Sequence, residues 1–111
     1  MRTKKTIFSQ IMSLVSRYDF QKCVDRYKGD CHAKTLTCLD QFKIMSFAQF
    51  TDRSSLRDIE MTLEFCGKGF YHAGLRTVPK STLAEANEKR NWMIYRDFAQ
   101  ILIKWAKELY H

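Results

Sequence analysis

Apolar side chains recur along this chain at intervals of three and four residues, the period of a helix face, almost from end to end. The spacing predicts a first helix over about residues 6–16, with Ile7, Ile11, Leu14 and Val15 on one side, Phe8 and Met12 beside them, and Thr6 as its N-cap. A second, over about 19–28, carries Phe20, Cys23, Val24 and Tyr27, with Asp19 placed to cap it and Gly29-Asp30 to end it, glycine being the usual left-handed residue past a helix end. The third, from Thr37 to Phe50, is apolar around nearly its whole circumference (Cys38, Leu39, Phe42, Ile44, Met45, Phe47, Ala48, Phe50), which predicts a helix buried at the centre of the core.

A fourth helix starts at Ser54 or Ser55, with Asp58 in its first turn and an inner stripe of Leu56, Ile59 and Leu63, and Gly67 and Gly69 end it. A basic connector over 67–80 follows. The fifth helix, Thr82–Arg90, is expected to take Ser81 as its N-cap and to turn only Leu83 and Ala86 inward. Its capping box is incomplete, because Ala84 stands where Glu or Gln would reach back to the cap. The last helix, about Trp92–Tyr110, aligns Trp92, Tyr95, Phe98, Ala99, Leu102, Trp105, Ala106 and Leu109, a stripe widened by Met93, Ile94, Ile101 and Ile103. The width implies deep burial or a second docking surface. The expected fold is all-α: one compact bundle of about five to six helices around a central buried helix, with helices four and five as a helix-turn-helix-like unit.

Composition narrows this picture. The chain has 111 residues, enough for one core, and 45% of them are apolar, which excludes a disordered chain. Four glycines and one proline are too few for a small all-β fold with its many tight turns. No uninterrupted apolar run approaches a membrane span, and the basic start lacks the apolar stretch and cleavage site of a signal peptide, so a cytoplasmic protein without membrane contact is expected. Cys31-His32 with Cys38 and Cys66 could be drawn as a zinc site. The spacings fit no standard finger, however, and reduced thiols, buried or incidental, are the expected state.

The net charge is +7 and it is uneven: residues 1–36 carry +5, residues 51–66 carry −2 and residues 67–90 carry +3. Two basic stretches around an acidic middle suggest a face for a polyanion, nucleic acid first among them. No nucleophile elbow, phosphate loop or metalloprotease motif occurs, and Asp58, Glu60 and Glu64 read as an exposed helix face, so no enzyme activity is expected of the chain alone.

A helix-turn-helix protein presents the start of its second helix to base edges. Here that start is Pro79-Lys80-Ser81-Thr82, followed by Asn87, Lys89 and Arg90. Ser and Thr suit phosphate or base, Asn suits adenine, and Lys and Arg suit guanine or phosphate. The helix N-terminus can itself hold a phosphate. Arg76 and Lys68 of the connector are candidate phosphate contacts, and Arg53 and Arg57 at the start of the fourth helix are further candidates. The connector of about fourteen residues is far longer than the usual three or four, and the pattern fits an exposed, capped surface helix equally well.

Several segments resemble a known family. These are Ile7 through Leu14, Asp40-Gln41-Phe42, Met45 through Thr51, Ser55 through Glu60, Tyr71 through Arg76, Ser81 through Arg90, and Trp92 with Tyr95 and Asp97-Phe98-Ala99. Together and in order they resemble the N-terminal domain of bacterial IS-four-like DDE insertion-sequence transposases, of the type common in Bacteroidetes. The Ser-Thr-Leu-x-x-Ala-Asn-Glu-x-Arg segment is the most specific. The resemblance implies a helical domain that helps recognise the transposon end and precedes an RNase-H-like domain whose three carboxylates hold two Mg²⁺. No first catalytic aspartate motif is found here, so no activity is carried over and Mg²⁺ is expected only in that missing domain. The implied partners are double-stranded DNA at the terminal inverted repeats and, as the alternative, the catalytic domain or a second protomer docked on the last helix.

Overall fold

A computed structural model describes residues 7–31, 33, 35–53, 55–66 and 75–110. They form six α-helices and no strand among the described residues: α1 Ile7–Ser13, α2 Arg17–Arg26, α3 Cys38–Phe50, α4 Leu56–Cys66, α5 Lys80–Lys89 and α6 Met93–Leu109. The fold class is the all-α bundle that the periodicity predicts. No helix among these residues is long and apolar enough to cross a membrane.

The core is in two parts, and α3 belongs to both. One cluster joins Phe8 of α1, Ile44, Phe47 and Ala48 of α3, Ile59 and Leu63 of α4, and Leu83 and Ala86 of α5. The other joins Phe20, Cys23 and Val24 of α2, Cys38 of α3, and Ile94 and Phe98 of α6. A helix that feeds opposite clusters from opposite sides must be apolar all round, which is why α3 lacks a polar face. The second cluster is largely aromatic. Phe98 meets Phe20 edge-on with ring centres 5.1 Å apart and Phe42 edge-on at 5.5 Å, the geometry that places a ring's positive edge against a negative face.

The helix ends are set by local chemistry. Thr37 and Asp40 form a full capping box on α3, as Ser55 and Asp58 share a cap bond on α4. The cap of α2 is Ser16 rather than Asp19: the Ser16 hydroxyl accepts the Asp19 N–H at 3.2 Å, leaving Asp19 inside the first turn where its charge suits the helix dipole. Past α2 the left-handed residue is Lys28 (φ 53°), not Gly29. The N–H of Gly29 bonds the Val24 carbonyl at 2.9 Å and that of Lys28 bonds the Asp25 carbonyl at 3.2 Å, a Schellman closure. The same closure ends α3, with Asp52 (φ 57°) left-handed and the Arg53 N–H on the Ala48 carbonyl at 2.9 Å.

Three further expectations change. α1 ends at Ser13, so Leu14 is exposed; Phe8 is buried with Met12 packed beside it in the first cluster, and Val15 packs on the second. α5 begins at Lys80, two residues earlier than a Ser81 cap requires; Pro79 is the N-cap position and supplies no side-chain bond. The inner stripe of α6 is Ile94, Phe98, Ile101 and Leu102 with the buried Asp97, whereas Trp92, Ala99, Trp105, Ala106 and Leu109 are exposed. The stripe drawn from residue types is turned relative to the one the bundle covers. Thr6, Gly67, Gly69, His32 and the first part of the connector lie outside the described residues. The described end of the connector is not free: Leu75 and Val78 are buried in the first cluster.

Candidate nucleic-acid interface and the cavity beside it

Helices α4 and α5 pack on each other, and one bond fixes the start of α5. The Glu60 carboxylate of α4 accepts the backbone N–H of Lys80 at 2.7 Å. Glu60 is therefore half-buried and engaged rather than part of a purely solvated acidic face, and it already uses part of the anion-binding capacity of the α5 N-terminus. Ser81 and the Lys80 side chain are exposed beside it and Thr82 is half-buried.

The candidate DNA contacts divide into engaged and open groups. Arg76 pairs with Asp40 at 3.0 Å, Lys89 with Glu85 at 3.0 Å, and Arg53 lies 3.8 Å from Asp58. These are surface pairs of small net worth that a phosphate could displace. Lys80 and Arg57 are exposed and make no ion pair among the described residues. Lys68 lies outside the described residues.

Asn87 and Arg90 are held from inside. Gln41, only 4% exposed near the start of α3, donates from Nε2 to Asn87 Oδ1 at 2.6 Å and accepts at Oε1 from the Tyr95 hydroxyl at 2.6 Å and from Arg90 at 3.3 Å. Arg90 also donates to the Leu36 carbonyl. A buried amide satisfied on both ends ties α3, α5 and α6 together, and no buried side-chain polar atom among the described residues lacks a partner. Burial pushes the Tyr95 hydroxyl well above its ordinary value, so it stays a donor. Nothing in the sequence of α3 sets Gln41 apart from its other polar residues, Asp40, Lys43, Ser46 and Gln49, so this hub was not legible before the fold.

A second polar hub lies between α2 and α6. Asp97 accepts from Arg26 at 2.6 Å, from the Tyr27 hydroxyl at 2.7 Å and from Arg96 at 2.9 Å. The Tyr27 hydrogen bond, with those from Arg96 and Arg26, holds its carboxyl below the usual range against the opposing effect of burial.

Beside the Gln41 hub a cavity of about 390 Å³ opens between α3, α5 and the start of α6. Phe42, Met45, Trp92 and Tyr95 wall it, and Ser46, Gln49 and Asn87 add polar groups. Trp92 is 64% exposed, with the Arg96 guanidinium 5.1 Å from its ring centre. Cys23, Cys31 and Cys38 are free thiols, and burial raises the Cys38 thiol to about 11. No group of three His, Cys, Asp or Glu among the described residues is arranged to hold a metal.

A bipartite helical core closed around a central helix, with a basic helix start beside a polar-and-aromatic cavity, defines a small all-α module. The chain belongs to the DUF4372 family, a domain of unknown function whose family model matches residues 3–76. The matched stretch ends before α5, yet Leu83, Ala86, Ile94 and Phe98 complete both core clusters. No curated protein and no solved structure matches the chain.

Proposed function

We propose that this chain is the DNA-binding module of a transposase and recognises the terminal inverted repeats of its element through the start of α5. The observation that carries this reading is the exposed start of α5, where the Lys80 and Ser81 side chains have no partner among the described residues, on a helix braced by α4. Arg57 on α4 and, after exchange of their surface carboxylates, Arg53, Arg76 and Lys89 supply phosphate contacts, and Lys68, outside the described residues, is a further candidate. Thr82, Asn87 and Arg90 complete the set, the last two held in place by Gln41. The module works in the cytoplasm, has no enzyme activity or cofactor of its own, and leaves Mg²⁺ chemistry to a separate catalytic domain.

Fluorescence anisotropy with a duplex carrying the terminal inverted repeat, against a random duplex of equal length, tests this reading. Affinity should favour the repeat and fall steeply with salt. Lys80→Ala should weaken both duplexes about equally and reduce the salt slope by about one, while Asn87→Ala should lose discrimination. Equal, weak binding to both duplexes by the unmodified chain would sink it.

The second reading is a docking module, and the end of α6 favours it. Ile103, Trp105, Leu109 and Tyr110 are all exposed there, Leu109 at 81% and Tyr110 at 89%. The catalytic domain or a second protomer would cover them. Light scattering over a concentration series separates the two: a dimer that survives charge reversal at Lys80 and Lys89 supports docking.

A further inference from the structure

We infer that the cavity between α3, α5 and α6 is a site for one unpaired nucleobase, presented by a nucleic-acid strand and stacked against Trp92. This deepens the proposed DNA-binding role and rests on it for the source of the strand.

The cavity joins two properties that a base requires. Its walls are aromatic and thioether groups, Phe42, Met45, Trp92 and Tyr95, and its volume of about 390 Å³ is within the range of small-ligand pockets. A planar heterocycle gains from aromatic stacking whatever its identity. Its polar groups also have capacity to spare. The Asn87 amide nitrogen has only the Met45 sulfur as partner, at 3.7 Å, and the Ser46 and Gln49 side chains make no hydrogen bond among the described residues. An amide offers both donors and acceptors, which is what the edge of a base presents.

The cavity is also preorganised. Gln41 and Tyr95 line it, and their mutual bond of 2.6 Å, with the Gln41–Asn87 bond of 2.6 Å, fixes the lining before any ligand arrives. Around it, Arg90 and Arg96 and a chain charge of +7 favour a polyanionic carrier over a neutral aromatic ligand. A base within a duplex has both faces covered by stacking, so the guest is an unpaired one.

Trp92 and Trp105 are the two tryptophans, so Trp105→Phe leaves Trp92 as the single reporter in the full chain. Three ligands are titrated at fixed ionic strength: a short single-stranded DNA, an abasic strand of the same length and charge, and free deoxyadenosine monophosphate. The base-bearing strand should quench Trp92 fluorescence and bind about tenfold tighter than the abasic strand, the size of one base-stacking contact. Free nucleotide should quench only at far higher concentration, whereas equal quenching by nucleotide and strand would make the site one for a soluble nucleotide and overturn the strand assignment.

Labelled-strand anisotropy then compares Trp92→Ala, expected to lose about that tenfold, with Trp92→Phe, expected to keep most of it. Trp92 is exposed, so circular dichroism should report an unchanged fold in both. Equal binding of abasic and base-bearing strands, or no loss in Trp92→Ala, overturns the inference. Duplex affinity is measured alongside: loss of single-strand discrimination with intact duplex binding defeats only the base site, and the absence of duplex binding defeats the proposed function.

Discussion

The Glu60 carboxylate and the Lys80 backbone N–H, 2.7 Å apart, join the middle of α4 to the first residue of α5. α5 has no side-chain cap of its own, so a carboxylate twenty residues upstream satisfies an orphan donor at its start. Glu60→Ala should therefore destabilise the protein by about 0.5–2 kcal/mol, the range of a lost N-cap. Glu60→Gln, which keeps an acceptor and loses the charge, should cost less. Urea denaturation of the two variants checks the order.

Gln41 offers a sharper test. Replacing it by Leu keeps much of the volume but strips the Tyr95 hydroxyl and Asn87 of their buried partner. The expected loss is about 1–3 kcal/mol, the desolvation penalty of groups left unpaired. The double variant Gln41→Leu with Tyr95→Phe should recover part of it, because removing both partners is milder than removing one.

Gly29 and Lys28 are neighbours with opposite expectations. A Cβ on Gly29 would stand 2.6 Å from Ile94 Cδ1 and 2.7 Å from Cys38 Sγ, both in the second core cluster. Gly29→Ala should cost about 1–3 kcal/mol by overpacking. Lys28, with φ 53°, holds the left-handed position itself, so Lys28→Gly should stabilise by about 1 kcal/mol. Thermal melts of the two variants should shift in opposite directions.

Acid should act through Asp97. Its folded carboxyl titrates below its ordinary value because the Tyr27 hydroxyl, Arg96 and Arg26 bond the charged form. A depressed folded value means that the stabilisation is fully present above the unfolded pKa of about 3.9 and is lost as pH falls through the folded one. Asp97→Asn should thus be less stable than the parent at pH 6, and the gap should close below pH 4. Urea midpoints measured across that window check the sign.

What could be read along the chain follows from where the information is held. Helix existence, the cap near Ser55 and the central place of α3 depend on residues close in sequence and could be read there, whereas the Thr37–Asp40 capping box, equally local, is hidden from the periodicity, which counts Thr37 inside the helix. The start of α5 did not follow from its own residues, because Glu60 and not Ser81 serves it. The stripe on α6 was drawn by residue type, and the bundle covers only its first half, so Trp105 and Leu109 stayed outside while the charged Asp97 went in with three partners.

The candidate contacts show the same division. Their charges and hydrogen-bonding groups are properties of the sequence, and so is the basic stretch leading into α5. Which of them are open was decided by folding: Lys80 and Arg57 remain exposed, Arg76 and Lys89 meet carboxylates, and Asn87 and Arg90 are drawn onto Gln41. By itself the sequence determined an all-α protein, its helices and the chemistry available on its surface, because the helical period and capping act over a few residues. Only the tertiary structure decided the pairing of α4 with α5, the Gln41 hub and the cavity against Trp92, because each depends on groups brought together from distant parts of the chain.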